Sequence, residues 1–67
     1  MMDLTKILAG LLVNFMKEKD NIKGTIALLR TDKQKEQMID WILKNQNNNL
    51  NTDKIITQAL KIAHLEK

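Results

Sequence analysis

The sequence predicts an all-α fold, a small bundle of three to four helices that forms one domain over residues 1–67. Three observations support this prediction. Apolar residues recur at helical spacing in several segments, helix-capping residues precede these segments, and the chain contains no proline and only two glycines. Because proline and glycine are the residues that most disfavour helix interiors, their scarcity favours helices joined by short connections.

The first predicted helix runs from about Asp3 to Lys19. Asp3 is the expected N-cap, and an apolar stripe follows at positions 4, 7, 8, 11, 12 and 15. Val13 lies on the other side of this helix, so we expect its side chain to be exposed unless another surface covers it. Gly10 lies beside Val13, where it is either simply tolerated or permits the close approach of a second helix.

The second predicted element, Ile22 to Arg30, is the least regular of the four. Ile22, Ile26 and Leu29 fit a helical stripe. Gly24 and the β-branched residues that follow it would also suit a short strand. Because the sequence offers no second strand that could pair with it and satisfy its backbone hydrogen bonds, the sequence favours a short helix.

The third predicted helix, Thr31 to Lys44, has the clearest start in the chain. Thr31 and Gln34 have the spacing of a capping box, in which each side chain accepts a hydrogen bond from the other residue's backbone N–H. A broad apolar arc that includes Met38 and Trp41 follows in the second half of the helix. Trp41 is expected to be either a core anchor at the edge of this arc or a hot spot in an interface, where tryptophan is enriched.

The segment 45–51 is rich in asparagine, which disfavours helix interiors and predicts a connection. Thr52 is then expected to cap a last amphipathic helix from Asp53 to about Glu66. His64 faces away from the apolar arc of this helix, and no carboxylate at helical spacing would orient it. We therefore expect His64 to be a surface residue and not a general base.

The composition argues against an enzyme and against a metal or cofactor site. The chain has no cysteine and a single histidine, which are too few ligands for a zinc site within one chain. The sequence contains no glycine-rich phosphate loop and no calcium-binding loop. Asp32, Glu36 and Asp40 form an acidic row along the third helix, but interleaved lysines favour a solvated face over a cation site.

The alternative functional prediction is a small DNA-binding regulator of the helix-turn-helix type. Residues 22–30, a short turn and the next helix would mimic that motif, with these residues at the start of its second helix: Lys33, Gln34, Lys35 and Gln37. The lysines would contact phosphates and the glutamines would read adenine edges. The net charge of +3, the single arginine and the acidic row on the same helix rank this function second.

The apolar run from Ile7 to Val13 resembles neither a signal peptide nor a membrane span. It is too short for a span, and no small-residue cleavage site follows it, which predicts a cytoplasmic protein. Binding of the first helix to a membrane surface is a further option, but a chain with so little apolar volume needs that stripe for its core.

The function ranked first is a non-catalytic interaction or oligomerisation module: an adaptor, regulator or accessory protein of the kind found among small bacterial or phage proteins. Each long helix has an apolar arc of about 200°, wider than a surface helix needs. A second layer would cover such arcs, most simply a second copy in a twofold dimer, with a different protein partner as the alternative. The predicted interface includes Val13, Phe15, Met38 and Trp41.

Overall fold

The computed structural model describes residues 3–65, and within them the chain forms four α-helices and no β-strand. The helices are α1 (Leu4–Leu12), α2 (Lys19–Leu28), α3 (Asp32–Asn45) and α4 (Thr52–Leu65). The predicted all-α class is therefore confirmed, and the second element is a helix and not a strand. The predicted end of the last helix at Glu66 lies outside the described residues.

The first helix is shorter than the sequence predicts. Asp3 caps it as expected, since its Oδ1 atom accepts a hydrogen bond from the backbone N–H of Thr5 at 3.0 Å. Helix α1 then ends at Leu12, residues 13–15 form a turn, and α2 begins at Lys19. The prediction of one helix to Lys19 was wrong because the chain reverses here, which packs α2 against α1 and buries Met16 in the core.

The capping box at the start of α3 is confirmed. The Thr31 hydroxyl accepts a hydrogen bond from the Gln34 N–H at 3.1 Å, and the Gln34 side-chain oxygen accepts one from the Thr31 N–H at 3.1 Å. The predicted cap of α4 is corrected by one residue. The Asn51 side-chain oxygen, and not Thr52, accepts a hydrogen bond from the Lys54 N–H at 3.0 Å, since asparagine caps helices at least as well as threonine.

The helices pack as a closed ring in which each one contacts two others. Helices α1 and α4 each pack against both α2 and α3, whereas the consecutive helices α2 and α3 do not form one of the main packed pairs among the described residues. The ring encloses one apolar core, formed by Leu8, Leu12, Met16, Ile22, Leu29, Met38, Ile42, Ile55, Ala59 and Ile62.

This ring explains how one copy of the chain covers most of its wide apolar arcs. A helix with a neighbour on each flank buries a broader arc than a helix with a single neighbour. The radius of gyration, 10.8 Å, is close to the value of about 11 Å expected for a compact chain of this length. Among the residues whose exposure the structure describes, the large apolar side chains that stay exposed are Val13 (59%), Leu43 (48%) and Leu60 (41%).

Candidate interaction surfaces

Helix α4 lies between α2 and α3, so it presents a different flank to each. Ile55, Ala59 and Ile62 form its buried stripe. At about 100° per residue, Leu60 and Ala63 lie on the flank that faces α2, while the residues toward α3 are polar. The two flanks therefore carry different chemistry and form two different concavities.

The concavity on the α2 side, which we call the α2–α4 groove, has a volume of about 450 Å³. Its lining residues are Ala27, Leu28, Arg30, Thr31, Gln34, Leu60, Ala63 and His64. Leu60 also lines an adjoining shallow surface with Thr57, Lys61 and His64. The described residues around both concavities include no acid, so aliphatic walls are combined with a basic rim of Arg30 and Lys61.

One end of the α2–α4 groove is held in place by Gln34, which is 4% exposed. The Gln34 side-chain oxygen accepts a hydrogen bond from the Arg30 N–H at 2.7 Å in addition to the one from the Thr31 N–H. Leu29, between the two helices, is buried in the core. These contacts fix the path of the chain from α2 to α3, and with it the wall of the groove that carries Arg30.

Trp41 lies on the opposite side of α4. It lines a concavity of about 310 Å³ with residues of α4, namely Asp53, Lys54, Thr57, Gln58 and Lys61. The Trp41 ring is half-buried and packs against the core, and the Asn45 side chain donates a hydrogen bond to the Trp41 carbonyl at 2.8 Å. Trp41 therefore borders both the core and the α4 side of this concavity, and the surface around it is polar.

The structure does not bring the four predicted interface residues into one patch. Val13 is exposed just after the end of α1, Phe15 lines a concavity with residues 50–52, and Trp41 lines a different concavity. Met38 is 0% exposed, so a single copy offers no surface there. The sequence does not mark Leu60 as a surface residue, because helical spacing places it in the apolar arc of the last helix with Ile56, Ala59 and Ala63.

The residues of the predicted DNA contact also differ in their surroundings. Lys33 and Gln37 are exposed and Lys35 is half-buried. Gln34 is buried, and its oxygen is occupied by two backbone N–H groups of the α2–α3 connection. The Gln34 side chain therefore holds the start of α3 and is not available to read a base edge.

The acidic row predicted on the third helix is exposed and borders an apolar side chain. Asp32, Glu36 and Asp40 share one side of α3 with the half-buried Ile39 and the exposed Leu43. We call these five residues the α3 outer face. Lys44 forms an ion pair with Asp40 at 3.1 Å, and both side chains are largely exposed to solvent.

Residues 3–65 contain no group of three histidine, cysteine or acidic residues close enough to hold a metal ion. In the same range, each buried side-chain nitrogen or oxygen has a hydrogen-bond partner. None of the described helices combines the length and the apolar character needed to cross a bilayer.

Comparisons with protein-family models, with curated proteins and with solved structures find no match for this chain. Its function is therefore inferred from its surfaces, of which the α2–α4 groove and the α3 outer face each combine a large exposed aliphatic side chain with charged side chains.

Proposed function

We propose that this chain is a non-catalytic helical interaction module that associates with its own copies. The observation that carries the proposal is Leu60, which is 41% exposed although it lies in a groove with other apolar side chains. A single exposed aliphatic residue is ordinary on a protein surface. An aliphatic residue in a groove with a charged rim is instead typical of sites that bind a helix.

The surroundings of His64 support a non-catalytic role. His64 is exposed and lines the groove with Leu60 and Ala63, and the other ionisable residues there are Arg30 and Lys61. A general base needs a partner that orients it and a reacting group within hydrogen-bond distance. The basic and apolar residues around His64 are better suited to contact another protein than to move a proton.

The proposal is tested by the mass in solution, measured by light scattering on a sizing column at several concentrations. We expect a mass above that of the monomer that rises with concentration. Leu60→Ser should lower it toward the monomer. Val13→Ser is the matched control, since it also removes an exposed aliphatic side chain but lies in the turn that follows α1. A wild-type chain that remains monomeric at every concentration would contradict the proposal.

DNA binding is the second candidate, and one observation favours it. The connection between α2 and α3 is only three residues long, Leu29 to Thr31, which is the length of a helix-turn-helix turn. It ranks second because Gln34 is buried and because Asp32 and Glu36 are exposed on the same helix as Lys33. Salt-dependent binding to duplex DNA that is lost in Lys33→Ala and kept in Leu60→Ser would favour this candidate.

A further inference from the structure

We propose that the α2–α4 groove binds the α3 outer face of a second copy of this chain. This inference rests on the proposed self-association and names the two surfaces that meet. Each surface has one large exposed aliphatic side chain, Leu60 in the groove and Leu43 near the C-terminal end of α3. In this arrangement Leu43 of one copy packs beside Leu60 of the other, and both are removed from water.

The charges of the two surfaces are complementary. Arg30 lines the groove, and Lys61 lines the adjoining shallow surface beside Leu60, at the crest of α4 between the groove and the Trp41 concavity. The α3 outer face carries Asp32, Glu36 and Asp40, and the lysines of the same helix, Lys33, Lys35 and Lys44, lie at its two edges. Opposite charges across an interface speed the encounter of the partners and exclude wrong pairings. The groove of one copy therefore attracts the α3 outer face of another.

The ion pair between Asp40 and Lys44 does not prevent this contact. Both side chains are more than 60% exposed, and an exposed pair of this kind on one helix contributes only about 0.3–0.5 kcal/mol. Asp40 can therefore exchange Lys44 for a basic side chain of the groove at little cost. Glu36 lies one turn before Asp40 on the same face and can contact the same rim.

The same charges disfavour the two alternative pairings. A dimer that joins groove to groove would place Arg30 and Lys61 of one copy near the same residues of the other. A dimer that joins two α3 outer faces would bring together acidic residues from both copies. Like charges that face each other across an interface are repulsive, so groove and outer face are the favoured pair.

The expected contact is small and therefore weak. Helix α3 has 14 residues, so it is about 21 Å long and, with its side chains, about 10 Å wide. One side of such a helix covers less than the roughly 800 Å² per partner of a standard interface. We expect an association that depends on concentration up to about 1 mM and becomes weaker as salt is added.

Two variants that each damage one surface provide the test. Leu60→Glu places an acid in the basic groove, and Leu43→Lys places a base on the acidic face. Both positions are exposed, so each variant should retain the fold, which circular dichroism checks. If Leu60→Glu does not fold, Leu60→Ser replaces it. Each variant alone should raise the dissociation constant by about tenfold or more. Val13→Lys, which touches neither surface, should assemble as the wild type does.

The decisive measurement is the mass of an equimolar mixture of Leu60→Glu and Leu43→Lys. The first variant keeps an intact α3 outer face and the second keeps an intact groove, so the mixture should associate where neither variant does alone. Two monomeric variants that fail to associate when mixed would overturn the pairing of groove with outer face.

The remaining outcomes separate this inference from the proposed function. If the wild type associates and only Val13→Lys abolishes its assembly, the chain is an interaction module that uses a different surface, and this inference alone is overturned. If the wild type stays monomeric up to about 1 mM, self-association fails as well, and the groove is left to a foreign partner.

Discussion

The two flanks of α4 differ in how completely a neighbouring helix covers them. On the α3 side, the Trp41 ring packs against the core and lines a concavity whose other side, on α4, consists of polar and charged side chains. On the α2 side, the neighbouring helix offers only Ala27 and Leu28, and Leu60 stays exposed beside them. The flank toward α3 therefore exposes polar and charged side chains, whereas the flank toward α2 exposes an aliphatic one.

This difference shows that the rarest residue of a sequence does not by itself mark the surface that binds. Trp41 is the only tryptophan, yet its ring packs against the core of its own chain. Leu60 is one of many aliphatic residues in the sequence, and what distinguishes it is the shape of the groove around it. Substitutions can distinguish residues that stabilise the fold from residues that contribute to binding at its surface.

The largest expected effect is on the core beneath both flanks. Met38→Ala should lower the free energy of unfolding by about 2–5 kcal/mol, because it leaves a cavity at a fully buried position. Urea unfolding followed by circular dichroism measures this loss, and Met38→Leu, which conserves volume, should cost less than about 1.5 kcal/mol. A Met38→Ala variant that kept its stability and lost assembly would instead place Met38 in an interface.

The two flanks themselves should respond in opposite ways. Trp41→Ala should lower the free energy of unfolding by about 2 kcal/mol, since a half-buried ring loses its packing against the core. Leu60→Ala should change stability by less than about 1 kcal/mol and should weaken assembly instead. Urea unfolding at low concentration and light scattering at high concentration separate the two effects. If Trp41→Ala lost assembly at unchanged stability, the flank of α4 that faces α3, and not the one with Leu60, would be the binding surface.

A smaller loss is expected at the end of the α2–α4 groove. Gln34→Ala should cost about 1–2 kcal/mol, because the N–H groups of Arg30 and Thr31 both lose their acceptor. Gln34→Glu is the matched control, since its carboxylate still accepts these hydrogen bonds and suits the first turn of a helix. Thermal unfolding of both variants measures the difference, and equal losses would show that the capping box contributes little.

The start of α3 was predictable from the sequence, and the end of α1 was not. The capping box depends on two residues three positions apart, so local spacing is sufficient to predict it. The apolar stripe of α1 continues at helical spacing to Phe15 although the helix ends at Leu12. The chain turns there because Met16 enters a core built from all four helices, and that packing is not encoded in any local pattern.

The candidate surfaces show the same limit. Exposure of Val13 was predicted from the helical periodicity alone, and the structure agrees. Leu60 lies at the edge of its apolar arc, so its exposure depends on the size of the neighbouring side chains on α2. Met38 lies at the centre of the α3 core stripe, and its burial depends on α3 having a neighbour on each flank. Neither neighbour can be identified from the local sequence.

The smallest expected effects are those of alanine substitutions at the two glycines. These substitutions also test whether the interface is formed by α4 or by α1. A Cβ atom added at Gly10 or Gly24 would meet no other atom within 4 Å in the part of the chain that the structure describes. Each glycine is inside a helix, so Gly10→Ala and Gly24→Ala should each raise the free energy of unfolding by about 0.5–1 kcal/mol.

Neither glycine substitution should change the mass in solution if the groove and the α3 outer face form the contact. Gly10 is exposed on α1, and Val13 is exposed in the turn that follows it, so Gly10 would allow a second copy to approach α1 closely if that helix formed the interface. In that case Gly10→Ala would stabilise the monomer and weaken assembly, while Gly24→Ala would only stabilise. Light scattering on the two alanine variants therefore compares α1 with α4 directly, because a methyl group at Gly10 obstructs only a contact made through α1.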